Sequence, residues 1–97
     1  MATLRWTEKA QRWLEDIFEH IAHDNPTAAA GVVNGLYERA QVLREFPEIG
    51  YSYEPIGKQV RILLYGHYRI AYVVTSDGDV EVLGVFHGAL GIDRYLL

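Results

Sequence analysis

Apolar residues recur at spacings of three and four over two early segments of the chain. In the first segment they are Ala10, Trp13, Leu14, Ile17, Phe18 and Ile21, and in the second they are Ala29, Val32, Val33, Leu36, Ala40 and Leu43. Such spacing places the apolar side chains on one face of a helix. Thr7 before Glu8, and Asn25 before Pro26, are typical helix starts. The pattern therefore predicts two amphipathic helices, the first ending near His23 and the second closed by Phe46 and Pro47.

Later segments alternate instead, with apolar residues at every second position, which is typical of strands. The alternating sets are Val60, Ile62 and Leu64, then Tyr68, Ile70, Tyr72 and Val74, then Val80, Val82, Gly84 and Phe86. Asp77-Gly78 predicts a tight hairpin between the last two. Ala2 to Trp6 is predicted as a short first strand, and residues 47–57 as a loop.

The sequence thus predicts one α+β domain over residues 1–97, with the order β-α-α-β-β-β. Its N-terminal strand is followed by an antiparallel hairpin of two helices and then by a three-stranded antiparallel sheet. Because the joining turns are short, we expect neighbouring strands to pair antiparallel and both helices to pack on one side of the sheet.

Composition narrows the function classes. With 49% hydrophobic residues, the 97-residue chain can bury a core, and with no cysteine it has neither disulfides nor thiolate-bound metal. No apolar run reaches the roughly 18 residues of a membrane span, and no signal peptide is evident, so we expect a cytoplasmic protein without membrane contact. The net charge of -4 argues against tight binding of DNA by this chain alone.

Arg69 is the main lead to function, because it places a cation in a strand of apolar and aromatic residues between Tyr68 and Tyr72. A buried, unpaired guanidinium costs several kcal/mol, so it must pair with an acid, stack on a ring or face a ligand. His87 ends the next strand, and we expect the two groups to be presented together on one side of the sheet. In the alternative interpretation, Arg69 pairs with Glu81 or another acid across the sheet and His87 only caps its strand.

Several short motifs in one order give the chain a family resemblance. They are Trp6-Thr7, Asn25-Pro26-Thr27-Ala28-Ala29, Phe46-Pro47 with Gly50, Gly66-His67-Tyr68-Arg69-Ile70-Ala71-Tyr72, and Val85-Phe86-His87-Gly88. The chain resembles the RelE/ParE toxin superfamily. The resemblance implies the toxin of a bacterial type II toxin-antitoxin module, active in plasmid stabilization and growth inhibition. It also implies a partner, a small DNA-binding antitoxin whose C-terminal segment wraps the toxin.

The superfamily has two activities, which its fold does not distinguish. One branch cleaves messenger RNA on the ribosome. For that branch the resemblance implies Glu54 as base, Arg69 as cation and His87 as acid, with Arg61 as a second phosphate contact. The ParE branch inhibits DNA gyrase and is not known as a nuclease.

We favour the ParE branch because the chain is acidic and its C-terminal pattern departs from the family. Family members commonly have an arginine and an aspartate directly after His-Gly, whereas Ala89 and Leu90 follow Gly88 here. Arg94 or Tyr95 could supply the missing binding group. The alternatives are a RelE-like endoribonuclease, and a non-toxic homologue that only binds its antitoxin.

Two other groups of residues are weaker indications of function. His20 and His23 lie three apart on the first helix, but no third ligand is near them in sequence, so we predict no metal site and no cofactor. Tyrosines are the expected amphipathic anchors for an antitoxin. They are Tyr37, Tyr51, Tyr53, Tyr65 and Tyr95.

Overall fold

The computed structural model describes residues 2–54 and 59–87, which form two helices and a five-stranded sheet. In chain order the elements are β1 (Leu4–Trp6), α1 (Glu8–Ala22), α2 (Pro26–Gln41), a 3₁₀ helix (Val42–Arg44), β2 (Tyr51–Ser52), β3 (Val60–Tyr65), β4 (Tyr68–Val74) and β5 (Val80–His87). Within these ranges no helix is long and apolar enough to cross a membrane.

Both helices begin at the predicted capping residues. The Thr7 hydroxyl accepts a hydrogen bond from the Ala10 amide at 3.1 Å. The Asn25 side chain likewise accepts one from the Ala28 amide at 3.0 Å, and Pro26 is the first helical residue. Each such cap contributes about 1 kcal/mol, because it satisfies an amide that has no partner within the helix.

The sheet has the strand order β1-β5-β4-β3-β2. The strands β3, β4 and β5 pair antiparallel, which confirms that prediction, whereas β1 pairs parallel with β5. The structure adds β2 inside the segment predicted as a loop, because Tyr51 and Ser52 pair with Ile62 and Arg61. A strand of two residues is too short for an alternating pattern, so the sequence gives no signal for it.

The main core lies between the helices and the side of the sheet that faces them, here called the helix side. Its buried residues include Ala10, Leu14, Leu36, Ala40, Leu43, Leu63, Ile70, Tyr72, Val80, Val82 and Val85. A smaller buried cluster consists of Ile62, Ala71 and Phe86, with Trp13 and Tyr53 packed against it. Each residue of this cluster is adjacent in its strand to a core residue, so the cluster lies on the far side.

An irregularity in β5 keeps the core continuous. The register pairs Ala71 with Gly84 but Tyr72 with Val82, so Leu83 has no partner of its own and forms a β-bulge. In a regular strand, residues three apart would project to opposite sides. The bulge instead lets both Val82 and Val85 join the core on the helix side.

Candidate functional site

Arg69 and His87, which the sequence predicts together, project to opposite sides of the sheet. In the pairing of β4 with β5, Tyr68 is opposite His87 and Arg69 is opposite Phe86. Paired residues of antiparallel strands project to the same side, and the next residue along each strand projects to the other. Arg69 therefore shares the far side with Phe86, and His87 shares the helix side with Tyr68. The expected joint placement is wrong. The extra residue Leu83 shifts the rest of β5 by one position, which exchanges the sides to which Phe86 and His87 project.

The surroundings of Arg69 are mainly apolar. It is half-buried, and the register places it between Leu64 of β3 and Phe86 of β5. Glu81 forms its ion pair with Arg5 of β1, so the alternative in which it holds Arg69 is also wrong. Within residues 2–54 and 59–87, no acidic side chain forms an ion pair with Arg69.

His87 lies in a cluster of rings at the end of β5. The His67 ring is stacked with it at a centroid distance of 6.1 Å, and the Tyr68 ring meets it edge-on at 5.7 Å. His67 carried no separate signal in the sequence. It comes close because the chain turns at Gly66, whose φ of 57° lies in the left-handed region that glycine adopts readily.

A cavity of about 510 Å³ adjoins this ring cluster on the helix side. The residues that line it are Trp13, Asp16, Ile17, His20, Tyr68, Val85 and His87. Trp13 also packs on Phe86, with ring centroids 4.7 Å apart, although Phe86 belongs to the far side. Trp13 therefore lies at the edge of β5, beyond the residues that β1 covers, where it packs against the far-side cluster and also lines the cavity on the helix side.

Arg61, predicted as a phosphate contact, is engaged with the loop before β2. One of its terminal nitrogens donates to the carbonyl oxygen of Gly50 at 2.7 Å and to that of Glu48 at 3.1 Å. The guanidinium thus stabilises the backbone of the loop.

Tyr72 holds the same loop from the core. Its hydroxyl donates to the carbonyl oxygen of Pro47 at 2.8 Å and accepts from the Gly50 amide at 2.9 Å. Burial raises the pKa of Tyr72, while the bond from Gly50 and the nearby charge of Arg61 partly oppose that rise. Sequence reasoning missed this role, since Tyr72 reads as an ordinary inward strand residue.

Comparison with known proteins now identifies the family. The protein-family model described as "ParE toxin of type II toxin-antitoxin system, parDE" matches residues 4–89. The chain belongs to this ParE toxin family. A relative in Sinorhizobium fredii, named "Putative toxin Y4kP", is 34% identical over 84 residues, which are 87% of this chain and 85% of the relative. The resemblance to the RelE/ParE superfamily is thereby confirmed, and the chain is a toxin of the type II toxin-antitoxin class.

Two solved structures share the fold of this ParE-family toxin. One is the chromosomal ParDE toxin-antitoxin system from P. aeruginosa, with a TM-score of 0.76, 22% identity, and coverage of 90% of this chain and 96% of that one. The other is the toxin-antitoxin complex RelBE2 from Mycobacterium tuberculosis, with a TM-score of 0.65, 26% identity, and coverage of 89% and 96%. The predicted α+β class is confirmed.

The remaining predicted site residues of the ParE-family toxin are scattered. Glu54 is exposed just after β2, and His23 is exposed at the end of α1. Arg94 and Tyr95 lie outside the described residues. In residues 2–54 and 59–87, no three His, Cys, Asp or Glu side chains are grouped so that they could hold a metal ion.

Proposed function

We propose that this ParE-family toxin inhibits DNA gyrase by direct protein contact and that a cognate antitoxin neutralises it. The observation that carries the choice of gyrase over messenger RNA is the register of β4 and β5. RNA cleavage through the 2'-hydroxyl needs a base, a cation and an acid around a single phosphate. Arg69 and His87 project to opposite sides of the sheet, and this placement supports contact with a protein over cleavage by a trio of Glu54, Arg69 and His87.

Charge supports the same choice. The chain has 9 Lys and Arg residues against 13 Asp and Glu residues, and its net charge is -4. Entry into a ribosomal site walled by phosphate is favoured by clustered cations. An acidic chain is better suited to contact a protein, which in this proposal is a cytoplasmic enzyme.

A supercoiling assay tests the proposal. Purified toxin is titrated into DNA gyrase acting on relaxed plasmid, and we expect supercoiling to be blocked at micromolar or lower concentration. Full supercoiling at the highest concentration of folded toxin would reject gyrase as the target. Primer extension on a translated message then tests the alternative, since a RelE-like nuclease gives cuts in the ribosomal A site that His87→Ala abolishes.

The antitoxin is supported by both solved structures, which are of a toxin-antitoxin system and a toxin-antitoxin complex. We expect a short open reading frame beside the toxin gene to encode it. Expression of the toxin alone should arrest growth, and co-expression of that small protein should restore it. Normal growth with toxin alone would favour the non-toxic homologue.

A further inference from the structure

Large apolar side chains are exposed on the segment that runs from the loop after α2 to the start of β2, and two of them, Phe46 and Ile49, line one shallow cavity. Phe46 is 56% exposed, Ile49 is 51% exposed and Tyr51, the first residue of β2, is 44% exposed. These three residues are here called the 46–51 patch. Leu64, 51% exposed, projects to the same side of the sheet as Tyr51, because Tyr51 pairs with Ile62, two residues before Leu64.

The backbone beneath the 46–51 patch is firmly held. The Ile49 amide donates to the carbonyl oxygen of Phe46 at 3.1 Å, which closes a turn around Pro47. The hydrogen bonds from Tyr72 and Arg61 fix the rest, and Gly50 lies so close to the Tyr72 ring that a Cβ there would be only 2.6 Å from the Tyr72 hydroxyl oxygen. The exposed side chains are therefore presented by a fixed loop.

Fixed, exposed apolar groups favour contact with another surface. The hydrophobic effect opposes leaving such groups in water, and clustered exposed aromatic and aliphatic residues mark interaction sites. Aromatic side chains also contribute strongly to binding at the centres of protein interfaces. Because the loop is already ordered, a partner does not have to supply the free energy of ordering it.

Acidic residues border the 46–51 patch. Glu45 and Glu48 are exposed, and together with Phe46, Pro47 and Ile49 they line a shallow cavity of about 440 Å³. Neither glutamate forms an ion pair with a residue in the described part of the chain. A complementary partner surface therefore has an apolar pocket with lysine or arginine side chains beside it.

We infer that the 46–51 patch is the surface through which this toxin contacts DNA gyrase, at a place where gyrase presents basic side chains beside an apolar pocket. An enzyme that passes DNA through itself must expose cations along the DNA path. Glu45 and Glu48 match those cations, and Phe46 and Ile49 add the apolar contact. This inference rests on the proposed function, because it takes gyrase as the target.

Two double variants test the inference in the supercoiling assay. Phe46→Ser/Ile49→Ser removes the apolar contact, and Glu45→Lys/Glu48→Lys reverses the charge. We expect each to raise the half-inhibitory concentration about tenfold or more, as loss of an interface anchor does. The matched controls are Phe18→Ser and Glu15→Lys/Glu19→Lys on α1, where the side chains are also exposed and inhibition should stay within about twofold.

The outcomes separate the two claims. If wild-type toxin inhibits gyrase and both patch variants, folded by circular dichroism, inhibit it equally well, the inference is overturned and the proposed function stands. If wild-type toxin has no effect on gyrase, both are overturned. Because the charge variant leaves Phe46 and Ile49 in place, it still tests the surface if the apolar variant does not fold.

Discussion

The hydroxyl of Tyr72, on the central strand β4, donates to the carbonyl oxygen of Pro47, 25 positions earlier in the chain, at 2.8 Å. The same hydroxyl accepts from the Gly50 amide at 2.9 Å. One buried phenol thus joins the core to the loop that carries the 46–51 patch. The loop that carries the patch is therefore held in part by a residue that is itself fully buried.

Removal of this hydroxyl should destabilise the fold. Tyr72→Phe leaves the Gly50 amide and the Pro47 carbonyl without their partner, and we expect the free energy of unfolding to fall by about 1 to 3 kcal/mol. The control is Tyr37→Phe, because the Tyr37 hydroxyl donates to the exposed Gln11 side chain at 2.8 Å and its loss should cost less than about 1 kcal/mol. Urea unfolding measures both, and equal losses would refute the special role of Tyr72.

Alkaline pH should weaken the fold through the same group. Because burial raises the pKa of Tyr72 above its usual value of 10.0, the unfolded chain loses this proton at lower pH than the folded protein does. The stabilisation is therefore complete below pH 10.0 and is lost as pH rises through the folded pKa. The free energy of unfolding, measured at pH values below and above 10.0, should fall more steeply with pH for the wild type than for Tyr72→Phe. Parallel plots of this free energy against pH would contradict the prediction.

The two arginines of adjacent strands should respond differently to replacement. Arg61→Met removes the donor to the carbonyl oxygens of Glu48 and Gly50, so we expect a loss of about 1 to 3 kcal/mol. Arg69→Met removes a half-buried charge that no acid in the described ranges neutralises, so stability should be unchanged or higher. A larger loss for Arg69→Met than for Arg61→Met, by thermal or urea unfolding, would indicate that Arg69 has a structural partner.

Two glycines of α2 form a natural pair for a packing test. Gly31 has open space where a Cβ would be, so Gly31→Ala should raise stability by about 0.5 to 1 kcal/mol through helix propensity. At Gly35 an added Cβ would overlap the Tyr65 ring of β3, so Gly35→Ala should leave the free energy of unfolding unchanged or lower it. Equal stabilisation by the two substitutions would mean that Tyr65 moves aside without cost.

The sequence predicted the elements of the fold better than their arrangement. Local signals determined the helix starts at Thr7 and Asn25, because a capping side chain acts within three residues. The parallel place of β1 beside β5 depends on contacts 76 positions apart, such as Leu4 with Val80, and no local pattern specifies them. The two-residue strand β2 has its partner in β3 and leaves no periodic signal of its own.

The candidate site was less predictable for a related reason. The sequence correctly predicts that Arg69 and His87 lie near each other on adjacent strands. The side of the sheet to which each projects, however, depends on the register between β4 and β5. A shift of one residue in the strand pairing reverses that side. The Asp77-Gly78 turn signal predicts the hairpin but not the bulge at Leu83, which shifts the pairing of the residues after it. The hydrogen bonds of Tyr72 and Arg61 to loop carbonyl oxygens could not be predicted for a different reason. Every residue has a backbone carbonyl, so the sequence does not indicate which carbonyl accepts a bond.

Plasmid topology in growing cells tests the central claim most directly. Cells that carry a reporter plasmid are induced to express the wild-type toxin without antitoxin, and the plasmid topoisomers are resolved on a chloroquine gel as growth stops. We predict that negative supercoiling falls as growth slows. Growth arrest with unchanged supercoiling would contradict gyrase inhibition as the action of this toxin.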